Sequence, residues 1–103
     1  MKGTTYKKNF ILKKSPRKNK RFRIVMSDSM YHDFGQKEGK TFIDGRTQKE
    51  KENWIARHKS DKNYDNLHSG IYHSRMLLWS ENTLDKAIKK YEKKNNVKIK
   101  KDF

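Results

Sequence analysis

The sequence contains no cysteine and one proline, and apolar residues make up only 31% of it. The absence of cysteine excludes disulfides, thiolate metal ligands and thiol catalysis. No apolar run approaches the ~20 residues that cross a bilayer, so we expect no membrane span. The low apolar content permits disorder, but two Trp, five Tyr and five Phe can fill a small core. At 103 residues the chain is predicted to form one thin domain.

Acidic residues are also scarce, and they are unevenly distributed. Lysine and arginine number 27 against 12 aspartate and glutamate, which gives a net charge of +15. Residues 1–27 contain no acidic residue, and residues 86–103 contain eight basic and two acidic ones. A near-neutral middle between basic segments is typical of a folded domain with polyanion-binding extensions. The alternative is that the lysines only keep the surface soluble.

The charge pattern divides the chain into a basic extended arm (1–20), an α+β domain (21–95) and a basic C-terminal tail (96–103). Apolar and polar residues alternate over 21–26, which predicts a half-buried strand with its antiparallel partner after a turn. A third short strand is expected at 41–43. The predicted fold class is α+β. It has a small antiparallel sheet of two or three strands, then about three short helices, with basic N- and C-terminal extensions.

Helix-capping patterns locate the three helices. Thr47 and Glu50 fit a capping box and begin a helix that runs to about Lys59. A second helix is predicted over residues 69–79, and Thr83 is predicted to cap a third whose apolar residues follow helical spacing. The tail is predicted to be able to add a strand to a partner's sheet. The predicted core residues are Trp54, Ile55, Leu78, Trp79, Ile88 and Tyr91.

No catalytic, cofactor or metal site is predicted. The four histidines lack the i, i+4 spacing on a firm helix that a two-histidine metal site uses. Residues 35–39 contain two glycines and a lysine but lack the Lys-Ser/Thr pair of a phosphate-binding P-loop. The sequence also lacks a nucleophile elbow. We therefore expect a non-enzymatic protein, with a nuclease built on His and Asp as the alternative.

Partner binding is predicted for the N-terminal segment. Its cations would neutralise phosphates and release counterions, which gives salt-sensitive affinity without sequence preference. Its apolar triplet, Phe10-Ile11-Leu12, is predicted to dock into a neighbouring protein. Arg57 and Arg75 either bridge to carboxylates or a partner, or extend their charges into solvent. The candidate partner- or polyanion-binding residues are Lys7, Lys8, Phe10, Ile11, Leu12, Lys13, Lys14, Arg17, Lys18, Lys20, Arg21 and Arg23.

Five segments together resemble an uncharacterised family of small basic proteins, a domain of unknown function, found mainly in giant and other large DNA viruses. The segments are Ser15-Pro16 before the basic strand, FGQKEG (34–39), WIARH (54–58), SRMLLW (74–79) and Thr83-Leu84. The resemblance covers about residues 15–92. No activity is assigned to that family, so the resemblance implies a virion location and no mechanism.

Two functions follow from that location. One is a minor capsid or capsid-cementing protein whose arms lie between major or other minor capsid proteins. The other is an internal, genome-condensing protein that binds DNA without sequence preference. The triplet Phe10-Ile11-Leu12 and the alternating segment 97–99 favour protein contacts, whereas the charge favours DNA. The sequence alone favours the capsid component.

Overall fold

The structure combines a four-stranded sheet with a layer of helices. It is a computed structural model, and it describes residues 8–27 and 29–103. A 3-10 turn and a π-helical turn accompany the regular elements. In chain order the elements are β1 (Lys8–Lys14), β2 (Lys20–Ser27), β3 (Met30–Gln36), the 3-10 turn (Phe42–Asp44), α1 (Gln48–His58), α2 (Gly70–Ser74), the π-helical turn (Arg75–Trp79), α3 (Leu84–Asn95) and β4 (Val97–Asp102).

The sheet is mixed, with the strand order β3-β2-β1-β4. The β1–β2 and β2–β3 pairs are antiparallel, and β1 pairs with β4 in parallel. The prediction of two or three antiparallel strands with basic extensions is therefore wrong, because both expected extensions contribute strands. The physical reason is the alternation of apolar residues in these segments, which places Phe10, Leu12, Val97 and Ile99 on one buried face. Burying four such side chains outweighs leaving the segments extended in water.

The predicted third strand at 41–43 is also wrong, because Phe42–Asp44 forms the 3-10 turn. Asp44 accepts hydrogen bonds from the backbone N–H of Thr41 at 2.8 Å and from its hydroxyl at 2.9 Å. Such local side-chain bonds compete with strand pairing. The turn ends at Gly45 in the left-handed region, with φ of 99°.

Both predicted helix caps are confirmed. The Thr47 hydroxyl accepts from the Glu50 N–H at 3.1 Å, and the Glu50 carboxylate accepts from the Thr47 N–H at 3.0 Å. Thr83 likewise accepts from the Lys86 N–H at the start of α3. The second predicted helix is present as α2 and the π-helical turn that follows it. Within that wider turn, four consecutive side chains, 76–79, are buried.

The core lies between the inner face of the sheet and the helices. We define the inner face as the one that bears Phe10, Leu12, Phe22, Ile24 and Phe34, all of them buried. The opposite, outer face bears Ile11, Arg23 and Val25. The predicted core is confirmed except that Ile55 is only partly buried at its edge. No helix within the two described ranges is long and apolar enough to cross a membrane.

Candidate polyanion-binding site

The predicted binding residues lie along β1, in the turn after it, and along β2. Lys7 lies outside the described residues. Lys8, Lys14, Arg17 and Lys18 are exposed, and Lys13 and Lys20 are partly exposed. The structure therefore keeps these cations at the surface of a folded sheet rather than on an extended arm.

The apolar triplet of β1 is divided between the two faces of the sheet. Phe10 and Leu12 are 2% and 0% exposed, whereas Ile11 is 36% exposed on the outer face. Phe10 also packs edge-on against the ring of Tyr91 in α3. The three side chains therefore do not form one docking surface, and two of them are fully used in this protein's own core.

Arg21 and Arg23 on β2 are engaged in ion pairs within the chain. Arg21 binds both carboxylate oxygens of Asp44, and this bidentate pair is the main reason that the pKa of Asp44 falls to about 2. Arg23 binds Asp33, which also accepts from the Ser15 hydroxyl at 2.8 Å. The Arg23 hydrogen bond is the main cause of the lowered pKa of Asp33. Phosphate binding by either arginine would compete with a buried or half-buried carboxylate.

A cleft of about 750 Å³ lies between β3, the loop that follows it, α1 and α2. We call it the basic cleft. Lys20 at the start of β2 and Lys40 in the loop line it, together with Arg57 near the end of α1. Lys20 faces the cleft because its strand pairs there with Gln36 of β3. None of these three cations forms an ion pair or side-chain hydrogen bond with another residue in 8–27 or 29–103.

The two carboxylates of the basic cleft are already bound. Asp33 is held by Arg23 and Ser15, as described above. Glu50 caps α1 through Thr47 and pairs with Arg46 at 2.8 Å. Hydrogen bonds from Thr47 are the main cause of the lowered pKa of Glu50. Because both carboxylates have partners, Lys20, Lys40 and Arg57 give the cleft an uncompensated positive charge.

Aromatic rings form part of the wall of the basic cleft. The indoles of Trp54 and Trp79 stack at 5.4 Å between centroids, with only 14° between their planes. The imidazole of His58 lies 4.3 Å from the Trp54 ring and is partly exposed. The cleft thus combines unpaired cations with an aromatic cluster in which His58 is the partly exposed ring.

Gly35 brings β3 close to the helical layer beside the cleft. Its φ is 78°, and a Cβ atom built on it would lie 2.9 Å from Cδ1 of Leu78. Both the left-handed backbone and the close approach favour glycine. A larger residue here would push β3 away from Leu78 and alter the cleft wall.

Lys40 and Asn53 were not predicted from the sequence as binding residues, and Arg57 was not assigned to a site. A signal was nevertheless present in the five segments of the resemblance. Three of them, 34–39, 54–58 and 74–79, contribute residues to this one cleft. Arg75, in contrast, bridges to Asp65 at 2.8 Å and lies over the ring of Tyr64, so of the two alternatives considered for it the structure has the carboxylate bridge.

Three of the four histidines lie close together beneath the sheet. The His32 ring is 5.4 Å from that of His73 and 6.3 Å from that of His68. His73 is fully buried, with Nε2 against the Leu67 carbonyl at 2.8 Å and Nδ1 against the Tyr91 hydroxyl at 3.2 Å. Within the two described ranges, no group of three His, Cys, Asp or Glu residues could hold a metal ion.

Comparison with known proteins gives one partial match. Residues 10–58 match the model of a family of unknown function, DUF5754. The matched region runs from β1 to the end of α1 and includes Lys20, Lys40 and Arg57. No curated protein and no solved structure matches the chain.

Proposed function

We propose that this protein is a non-enzymatic nucleic-acid-binding protein that holds DNA without sequence preference. The supporting observation is a folded surface with far more cations than its carboxylates can pair. Ion pairs among the described residues use six of the basic side chains, and many exposed lysines make none. The paired cations are Arg21, Arg23, Arg46, Arg75, Lys90 and Lys101.

The exposed cations form two groups on folded elements. One group lies in the β1–β2 turn and the loop after β3, and it includes Arg17, Lys18 and Lys37. The other lies on α3, where Lys86, Lys89 and Lys93 are exposed. Each phosphate that a cation neutralises releases a counterion, so such groups favour DNA of any sequence.

Burial of the terminal segments favours DNA over the capsid shell as partner. The preference for a shell protein depended on Phe10-Ile11-Leu12 and the segment 97–99 as apolar anchors. Phe10, Leu12, Val97 and Ile99 are instead buried in the protein's own core. Because those side chains are buried within the protein, the unpaired positive charge is the stronger indication of its partner, and it favours DNA.

We further propose that the protein acts inside a large DNA virus particle as a genome-associated component. The basis of this location is the sequence resemblance to viral proteins described above. The experiment is to disrupt particles and follow the protein through separation of emptied shells from DNA. We expect it in the DNA fraction, and its quantitative recovery with shells would contradict the proposal.

A capsid-cementing role is the second candidate, and the outer face of the sheet favours it. Ile11, Val25 and Tyr31 lie side by side across three strands. Ile11 is 36% and Tyr31 50% exposed, so they present apolar surface to solvent. A shell protein would cover this row, whereas the charged phosphates of DNA would gain nothing by contacting these apolar side chains.

Salt dependence of DNA binding tests the main proposal. Affinity for duplexes of two unrelated sequences should be equal at low salt. If six to ten phosphates are contacted, it should fall by about 10³–10⁵ between about 50 and 200 mM salt. Fluorescence anisotropy with labelled duplexes measures both properties. A flat salt dependence, or no binding at low salt, would reject nucleic-acid binding.

A further inference from the structure

We infer that the basic cleft binds one unpaired nucleotide of a single-stranded nucleic acid, with its phosphate held by Lys20, Lys40 and Arg57. This inference rests on the proposed function and adds to it a specific site and a preference for strand state. It concerns a concave site on one side of the domain, distinct from the exposed lysines of α3.

The cations of the cleft are suited to a phosphate because they are close to the surface and unpaired. Lys40 and Arg57 are exposed, and Lys20 is partly exposed. An arginine offers a planar fork of donors that matches phosphate oxygens, and lysines add point charge. Arg46, the fourth cation that lines the cleft, is bound to Glu50 and is not needed for this contact.

The wall beside these cations is suited to a planar base. His58, which is partly exposed, lines the cleft beside the buried, stacked indoles of Trp54 and Trp79, and its imidazole is the ring that a base can reach. Bases pack on aromatic surfaces without strong sequence preference, because every base has a π-face. The Asn53 side chain also lines the cleft and has no hydrogen-bond partner within 8–27 or 29–103. Its amide can donate to or accept from the edge of a base.

The cleft is large enough to hold a single nucleotide. Its volume of about 750 Å³ lies within the roughly 300–1,000 Å³ of small-molecule sites. A base inside a duplex is stacked and paired, so a protein reaches its faces only after extruding it from the helix. The bases of a single strand need no extrusion, so single strands should bind the cleft more tightly than duplexes.

Tryptophan fluorescence provides a direct readout of this site. The chain has two tryptophans, and both line the basic cleft. A short oligothymidylate should therefore change the emission in a saturable way. The corresponding duplex should bind, as seen by anisotropy, with little change in emission. Thymidine monophosphate and inorganic phosphate complete the set of probes.

Matched variants separate the cleft from general charge. K40Q/R57Q removes two cleft cations, and K49Q/K59Q removes two exposed lysines at the ends of α1 that do not line the cleft. Loss of two charged contacts should weaken oligothymidylate binding by about tenfold or more. The control should weaken it much less, and R57K should restore most of the affinity that R57Q loses. Circular dichroism checks that each variant is folded.

The outcomes distinguish this inference from the proposed function. If neither strand state binds at low salt, nucleic-acid binding itself is wrong. If both bind but emission does not change, or K40Q/R57Q and K49Q/K59Q lose affinity equally, only the cleft assignment is wrong. An equal emission change with inorganic phosphate would also overturn it, because no base would be recognised. Saturable binding of thymidine monophosphate as tight as that of the oligonucleotide supports the site and identifies a free nucleotide as its ligand.

Discussion

The inner and outer faces of the sheet are built from the same strands, but the inner face is buried and the outer face is accessible to solvent. On β1, the inner residues Phe10 and Leu12 are buried, whereas their neighbours Ile11 and Lys13 remain accessible to solvent. The inner face meets helices, and the outer face presents charge and a short apolar row. Adjacent residues therefore differ in role, so a run of like residues in the sequence is not a functional unit when it forms a strand.

The largest expected effect is on the inner face. Phe10→Ala should lower the free energy of unfolding by roughly 3–5 kcal/mol, because it leaves a cavity against Tyr91 and β4. Urea denaturation followed by circular dichroism measures the change. A loss below about 1 kcal/mol would mean that Phe10 is not in the core and that β1 is an arm after all.

A pH titration probes the same buried side through His73. Burial lowers its pKa from 6.5 to about 4. The unfolded chain therefore takes up a proton between these two values while the folded chain does not. The contribution of neutral His73 to the free energy of unfolding should be fully present above pH 6.5. The free energy of unfolding should fall by roughly 3 kcal/mol as the pH drops to about 4. The lowered pKa of His32, which also results mainly from burial, acts in the same direction.

Urea midpoints measured across this pH range give the size of the effect. Asp44 interferes little, because the stability that its lowered pKa contributes is lost as the pH falls from about 3.8 to about 2, mostly below this range. His73→Gln should flatten the dependence, and the exposed His68 offers a control in His68→Asn, which should retain it. A stability that is constant from pH 7 to about pH 4 would contradict the burial of a neutral His73.

The smallest effect is expected on the outer face. Ile11→Ser should lower the free energy of unfolding by roughly 1–2 kcal/mol, less than Phe10→Ala, because about a third of Ile11 is already exposed to solvent. DNA affinity should also be unchanged, since no charge is removed. Incorporation into particles is the informative measurement. Its loss in a stable, DNA-binding Ile11→Ser protein would favour the capsid-cementing role over genome association.

Local signals gave correct predictions for the helices and the first hairpin. The capping residues Thr47 and Thr83 satisfy backbone groups within one turn, so neighbouring residues determine where α1 and α3 begin. The alternation around Phe22 and Ile24 similarly predicts β2. The π-helical turn after α2 was not predictable, because its widening depends on packing of residues 76–79 against the core.

The errors in the sheet and the site arise from long-range contacts. β1 and β4 are basic enough to suggest solvent-exposed extensions. Each is buried because it pairs with the other, although residues 15–96 separate them in the sequence. In the same way, Lys20, Lys40 and Arg57 lie in three separate segments, and only the folded chain brings them to one cleft. The excess of charge was evident from the sequence, but its concave arrangement was not.

The parallel pairing of β1 with β4 has a consequence for how the protein is made. β1 is synthesised early and can form its hairpin with β2 at once, but its other edge has no partner until residues 97–102 have left the ribosome. During that interval a strand with Phe10 and Leu12 exposes unpaired N–H and C=O groups, the arrangement that promotes association of nascent chains. Lys8, Lys13 and Lys14 repel a second copy of the same strand, which protects the unfinished sheet. We therefore expect some of the positive charge in this segment to serve biogenesis, in addition to the binding proposed above.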